Sequence, residues 1–428
     1  MSTKVAILAI GDELVSGATV DRNSAWISAR LQAVGLEAIE HRTVPDDVQA
    51  IAEAMVSLRS AAGIVIATGG LGPTQDDLTR EALAIALVGS PELVEDEAAL
   101  AALTAWYRGR NRPMPASNRQ QALRPRDAVT LPNPHGTAPG LFAAHGGFMT
   151  FCLPGPPREM QPMFEAEVQP RLAAAAGGRV VASESVNAFG EGESALAECI
   201  ADLMERGRDP VVGTAASIRG VTARIRSSGP AAEAAARVEA VAAEIERRWS
   251  PYSFARGQVT LPEAVASSIL ASGCTLAVAE SCTAGLLGEM IVSVAGASRF
   301  FEGGWMVYSN ALKSSQLAVP TAMLEAHGAV SEPVAAALAM SAASRANTDL
   351  ALSVTGIAGP AGGSEAKPVG TVFIGLCDRR QGPAHVRRFR FPGDRGEVRE
   401  RTARSALTML RLHLAGHAAT RLLWEVAS

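Results

Sequence analysis

The chain has 428 residues, more than one hydrophobic core usually organises, so two or three domains are expected. A formal net charge of −4 speaks against a general nucleic-acid binder, and no apolar run approaches the roughly 20 residues of a membrane span. Five scattered cysteines (Cys152, Cys199, Cys274, Cys282, Cys377), without a C-x-x-C pair, fit free thiols in the cytoplasm better than a disulfide framework or a zinc site.

The first domain is expected over residues 1–172. It opens with an apolar strand, Val5 to Ile10, and a polar turn through Gly11, Asp12 and Glu13. Asn23 and Ser24 read as the cap of a helix whose apolar positions Trp26, Ile27, Leu31 and Val34 recur at helical spacing, with Gly35 as its stop. A strand, Leu36 to Arg42, leads to a helix from Val48 carrying Ile51, Met55 and Leu58 on one face. The apolar strand Gly63 to Thr68 runs into Gly69-Gly70-Leu71-Gly72-Pro73-Thr74, and Asp76, Asp77 and Thr79 open a helix to Leu87. Strands alternating with helices in this way predict an α/β, doubly wound parallel sheet. Gly69, Gly70, Gly72 and Thr74 would let backbone N–H groups approach a phosphate at the carboxyl end of that sheet. Asp76 and Asp77, with Glu13 or Asp12 from the first loop, have the oxygen ligands a divalent metal ion takes; the competing reading is that they cap helix starts.

These residues resemble a family. Thr68 to Thr74 followed by Asp76-Asp77, then Asn133 to Gly140 (NPHGTAPG) and Leu153 to Met160 (LPGPPREM), resemble the molybdopterin-binding-like domain that opens proteins of the CinA (competence/damage-inducible) family. The resemblance implies metal-dependent hydrolysis of ADP-ribose at its pyrophosphate, the identity of the metal being open. Binding of molybdopterin or a nucleotide without turnover is the alternative, and a non-catalytic adaptor in DNA uptake or repair is a third reading.

Residues 173–257 read as a small α+β module: a strand from Val180 to Asn187, a helix from Ala195 to Met204, a strand from Val221 to Arg226, and an amphipathic helix from Ala231 to Trp249 with Val238, Val241 and Ile245 inward. It resembles the KH module of CinA relatives. Without a G-x-x-G clamp loop flanked by basic residues, no RNA binding follows, and Arg219, Arg224 and Arg226 alternate as a solvated face would. A spacer or dimerisation role is expected, with Ser250 to Gln258 as the linker to the third domain.

That third domain, residues 258–428, is expected to be α/β. Pro262 starts a helix that Gly273 ends; the strand Thr275 to Ala279 runs into Glu280-Ser281-Cys282-Thr283-Ala284-Gly285, and Leu286 onward is helical. A Ser at such a turn is either a cap or a nucleophile beside free helix-start N–H groups, here those of Thr283 to Gly285. Of 39 basic residues only Lys4, Lys313 and Lys367 are lysines, and of three tyrosines one, Tyr308, lies five residues before Lys313. Arg cannot give up its proton and a desolvated Lys can, so Lys313 is the available base for Ser281, with Tyr308 as its assistant. The Cys282 thiol is an alternative nucleophile. Gly356, Ala358 and Gly359 in a Gly-rich turn, Thr371, and Arg395 with Arg399 at a helix start would suit a phosphate monoester, whereas Arg401 and Arg404 read as a solvated face.

Glu280 to Gly285, Tyr308-Ser309-Asn310 with Lys313, Thr355 to Pro360, Lys367 to Thr371 and Phe391 to Arg395 together resemble the CinA C-terminal domain, which also occurs alone as nicotinamide mononucleotide deamidase. Ala284 departs from the Gly found in many relatives. The resemblance implies conversion of nicotinamide mononucleotide to nicotinic acid mononucleotide and ammonia, with Ser281 as nucleophile, Lys313 as its base and Tyr308 assisting, and no cofactor in this domain. The partners expected are small-molecule nucleotides and a second copy of the chain in a homodimer, with neither nucleic acid nor membrane.

Overall fold

A computed structural model describes residues 4–176 and 179–426. They fall into two compact units: Met1–Ala182 with Ser227–Arg237, and Ser183–Arg226 with Val238–Ser428, so the middle segment is divided between them. No helix among the described residues is long and apolar enough to cross a membrane.

The first unit is built on a six-stranded sheet in the order Glu37–Val44, Lys4–Ile10, Gly63–Thr68, Phe148–Leu153, Gly140–His145, Val129–Leu131. The strand Lys4–Ile10 lies between two parallel neighbours and is buried from Val5 onward, which is why it reads as an unbroken apolar run. Its side chains divide by parity. Val5 and Ile7 join a core with Ile27, Leu31 and Phe164, while Ala6, Leu8 and Ile10 join one with Ile51, Met55 and Leu58. Helices therefore cover both faces, and each fully buried Leu or Ile contributes about 1.5–3 kcal/mol.

The sheet is parallel only through its first four strands. Phe148–Leu153 and Gly140–His145 are an antiparallel hairpin, and Val129–Leu131 adds antiparallel to that. The hairpin turn is Gly146-Gly147, with φ of 58° and 82°, the two consecutive left-handed residues that fit the twist of the flanking strands. The cap of helix Asn23–Ala33 also differs from expectation. The Asp21 carboxylate accepts from the Ser24 N–H, and Asn23 instead donates to the Gly155 carbonyl.

In the middle segment the strand order is Val211–Ser217, Gly220–Pro230, Arg179–Ala188, Ser253–Arg256. Val211–Ser217 had no sequence signal strong enough to read, and the expected linker contributes the edge strand Ser253–Arg256, antiparallel to Arg179–Ala188. The helix Ala231–Trp249 buries Ala234, Val238, Ala242, Ile245 and Trp249; Val241 is only half-buried. The expected helix after Gly192 is shorter, Glu193–Cys199, followed by one tight turn, Ala201–Met204.

The C-terminal sheet has five strands in the order Phe301–Met306, Leu276–Glu280, Leu350–Gly356, Thr371–Asp378, His385–Arg390. The first three are parallel and the last two antiparallel. Helices Leu261–Ser272 and Arg395–Leu414 cover one face, and Glu332–Ala346 covers the other. Arg395–Leu414 starts with a capping box between Asp394 and Glu397, and Leu261–Ser272 with one between Thr260 and Glu263.

One glycine is fixed by its neighbours. Gly69 has φ 108°, and a Cβ there would run into the Ile10 carbonyl. Gly69→Ala is expected to lower the stability of the first unit by roughly 2–4 kcal/mol. The check is thermal unfolding, and an unmoved transition would contradict the close approach.

Candidate functional site

At the carboxyl end of the parallel strands in the C-terminal sheet, the chain leaves Leu276–Glu280 and enters the turn 281–285 before helix Leu286–Val292. Strand alternation sends Glu280 and Ser281 to opposite faces. Ser281 is held by its own N–H, which donates to the Val354 carbonyl on the neighbouring strand. On that side stands the helix Asn310–Leu317, capped by the Ser309 hydroxyl, which brings Lys313 inward.

Lys313 is 1 % exposed and Ser281 8 %. Lys313 Nζ lies 3.0 Å from Ser281 Oγ, 2.8 Å from the Val307 carbonyl and 3.1 Å from the Tyr308 carbonyl. No carboxylate pairs with it among the described residues. Burial therefore pushes the Lys313 pKa below its usual value of 10.5. All three neighbours are oxygens that accept from Nζ, and none carries a charge to hold the lysine as a cation.

Cys282, the competing nucleophile, is 4 % exposed, and burial pushes its thiol up to about 12. A buried thiol in that state holds its proton at neutral pH and is inert.

Glu280 occupies the other face and is buried. Its carboxylate accepts from the N–H groups of Gly285 (2.9 Å), Leu287 (3.1 Å) and Gly288 (2.8 Å). The start of helix Leu286–Val292 is thus neutralised internally. This corrects the expectation that Gly285 offers its N–H to an oxyanion; the bonds Glu280 collects come from Gly285, Leu287 and Gly288 and from none of Cys282, Thr283 and Ala284. Ala284 has φ 49°, in the left-handed region where its Cβ is a cost that a Gly would not carry.

Tyr308 differs from its expected part. Its backbone carbonyl, not its phenol, steadies Lys313, while the ring is 61 % exposed and its hydroxyl meets Arg395 at 3.3 Å. Arg395 also donates to the Gly359 carbonyl at 2.8 Å, so the Tyr308 stretch, the Gly-rich turn and the last helix converge on one exposed guanidinium. Arg399 donates twice to the Thr283 carbonyl, bracing the turn that carries Ser281. Gly356 and Gly359 leave no space for a side chain, because a Cβ would meet Val372 and Val369 respectively. Ala358 is buried beside them, and the Thr371 hydroxyl donates to the Pro368 carbonyl. These four shape the turn. Arg401 and Arg404 are not a solvated face: Arg404 is buried and paired with Glu400, and Arg401 bonds the Pro392 carbonyl and lies over the Trp424 ring.

In the first unit, a cavity of about 400 Å³ is lined by Gly69, Gly70, Gly72, Thr74, Asp76 and Asp77, by Glu13 and Asp46 from two other loops, and by Glu159. The glycine loop is braced from within. Asp77 accepts from the N–H groups of Gly72 (2.7 Å) and Thr74 (2.8 Å) and from the Thr74 hydroxyl, and the buried Arg80 donates to the Leu71 and Gly72 carbonyls. The Thr79 hydroxyl donates to the Gly69 carbonyl. Asp77 therefore does what the capping reading asks of an Asp, applied to a loop. Asp12 and Asp46 exchange backbone N–H bonds across their loops. Burial, then the nearby carboxylates of Asp12, Glu13 and Asp76, hold Asp46 above the ordinary carboxylate range.

Among the described residues no three His, Cys, Asp or Glu side chains stand ready to hold a metal ion by themselves. The exposed Asp76, with Glu13 on the same cavity wall, fits the open kind of site in which one or two carboxylates hold Mg²⁺ and substrate phosphate completes the shell. Asp46, Glu159 and the clamping role of Glu280 were missed from sequence. A lone acid closing an apolar strand, as Glu280 does, was the available signal, because such a carboxylate needs buried donors.

The family model described as "CinA C-terminal domain" matches residues 258–414, "Probable molybdopterin binding domain" matches 6–174, and "Damage-inducible protein CinA KH domain" matches 183–255. A competence-damage inducible protein of Symbiobacterium thermophilum is 42% identical, covering 95% of this chain and 98% of its own length. A CinA-like protein of Citrifermentans bemidjiense is 41% identical, covering 96% and 97%. The crystal structure of a CinA superfamily protein from Klebsiella pneumoniae is 33% identical and covers 36% of this chain and 96% of its own, with a TM-score of 0.35.

Thiol labelling checks the environment of the turn. Iodoacetamide at about pH 8 is expected to modify the exposed Cys199 in the folded protein and to leave Cys282 intact. Peptide mass spectrometry reads the outcome, and equal labelling of the two would contradict a sealed, protonated Cys282.

Proposed function

This chain belongs to the CinA family of competence/damage-inducible proteins, and we propose that its third domain is an amidohydrolase that deamidates nicotinamide mononucleotide. The observation that carries the proposal is the buried Lys313 amine 3.0 Å from the Ser281 hydroxyl, without a carboxylate partner. Ser281 Oγ attacks the carboxamide carbon while Lys313 Nζ takes its proton. The oxyanion meets the N–H groups of the turn Cys282 to Ala284. Lys313 then gives its proton to the leaving nitrogen, ammonia departs, and an ester to Ser281 remains. Water, losing a proton to the same amine, hydrolyses the ester to nicotinic acid mononucleotide. Arg395 supplies charge for the phosphate, Tyr308 orients Arg395, and Arg399 keeps the turn in place.

Ammonia release from the mononucleotide is the assay. Ser281→Ala is expected to abolish it and Cys282→Ala to leave it within a few-fold, while Lys313→Arg, which keeps the charge and loses the base, is expected to lower kcat by about 10²–10⁴. In the native enzyme kcat should climb with pH through the depressed pKa of Lys313, below 10.5. Full activity in Ser281→Ala, or a Lys313→Arg enzyme with the native pH profile, would overturn the reading.

For the first domain we propose hydrolysis of ADP-ribose at its pyrophosphate, supported by the cavity that combines a glycine loop with carboxylates from three other segments. Asp76 and Glu13 would hold the divalent ion, and Asp77 would keep the loop in shape. The ion, when bound, supplies a Lewis acid for the pyrophosphate oxygens. Asp76→Asn is expected to abolish turnover and keep nucleotide binding, whereas Asp77→Asn should weaken binding itself through the loosened loop. An intact ADP-ribose pool with every common divalent ion, alongside retained binding, would favour a binding module instead.

A further inference from the structure

A second cavity in the first unit, of about 730 Å³ and mostly apolar, has no part in the chemistry of the serine turn or of the glycine loop. Its walls include Trp106, Leu131, Pro134, Pro139 and Met163. It does not stand alone. Thr137 lines both this cavity and the glycine-loop cavity, and the loop from Asn133 to Pro139 is the partition between them. The partition is anchored at its base, where the Asn133 side chain, on the apolar side, donates to Glu159 of the glycine-loop cavity at 2.8 Å and to the Ala138 carbonyl at 2.9 Å.

The two halves differ in chemistry. One offers loop glycines and carboxylates suited to phosphates with a metal ion; the other offers an indole and proline and methionine surfaces, with a few polar groups, in the size range of small-ligand sites. Trp106 is the informative residue. Arg110 stacks on its ring with 3.7 Å from guanidinium carbon to centroid, which fixes the indole, and its Nε1 is buried without a hydrogen-bond partner. Buried indole N–H groups usually have an acceptor.

We infer that the apolar cavity takes the base of a nucleotide whose phosphates occupy the glycine-loop cavity, with Trp106 as a principal contact. The site then selects base-bearing diphosphates over bare ones. This rests on the reading of the glycine-loop cavity as a phosphate site, but not on hydrolysis.

The test is calorimetric titration of the full chain, in excess Mg²⁺, with ADP and separately with inorganic pyrophosphate. ADP is expected to bind more tightly, and Trp106→Ala to weaken ADP by about ten-fold, as losing one base contact does, while leaving pyrophosphate unchanged. Ala102→Trp, which fills the cavity from an exposed helix position, should act the same way and stands in if Trp106→Ala melts early. Equal affinities for the two ligands in the native protein, or equal losses for both in the variants, would overturn the inference. So would variants that change the sedimentation coefficient and not ADP binding, because the cavity would then be covered by a second copy. If neither ligand binds the native protein, the inference falls together with the phosphate reading. If ADP binds through Trp106 and ADP-ribose is never cleaved, only the proposed reaction falls.

Discussion

An amine buried without a counter-charge is the constraint that the C-terminal unit is arranged around. Among the described residues the hydrogen-bond partners of Lys313 are two carbonyls and the Ser281 hydroxyl, and none of them is a carboxylate. Glu280, one residue from Ser281, turns to the opposite face and spends its charge on three helix-start amides. Were Glu280 to reach Lys313, the pair would favour the cation and raise the lysine pKa instead of lowering it. Strand alternation, a property of the backbone alone, keeps the two apart.

The same turn is braced from both ends. Arg399 holds the Thr283 carbonyl, Glu280 holds the amides beyond, and the left-handed backbone of Ala284 and Gly285 joins them. Groups that sequence offers as ligands thus divide into those left at an exposed surface and those that hold the others still. Arg395 is exposed and held by the Gly359 carbonyl and the Tyr308 hydroxyl, whereas Arg399 is a strut for the turn. The first unit repeats the logic with different residues: Asp77 and Arg80 fix the glycine loop from its amide and carbonyl sides, and Asp76 is left at the cavity.

Much of this is legible in the sequence because the signals are local. The buried parallel strands are apolar runs, the helices carry their stripes, and a chain nearly empty of lysine points to Lys313. What escaped depends on partners distant in sequence. The antiparallel hairpin at Gly146-Gly147 hid among loop-like glycines, and the strand Ser253–Arg256 looked like a linker because its four residues are only half-buried at an edge. Arg404 looks like a surface residue until Glu400 and its neighbours enclose it. Tyr308 meets Lys313 through its carbonyl while its phenol meets Arg395, a division that composition and spacing do not carry.

Three lysines in the whole chain make the protonation of residue 313 directly measurable. In protein labelled with ¹³C at the lysine ε-carbon, NMR titration should give three resonances, one of them titrating below 10.5 and vanishing in Lys313→Arg. Three lysines that all titrate at or above the ordinary value would leave Ser281 without a base, and the proposed acyl-enzyme chemistry could not stand.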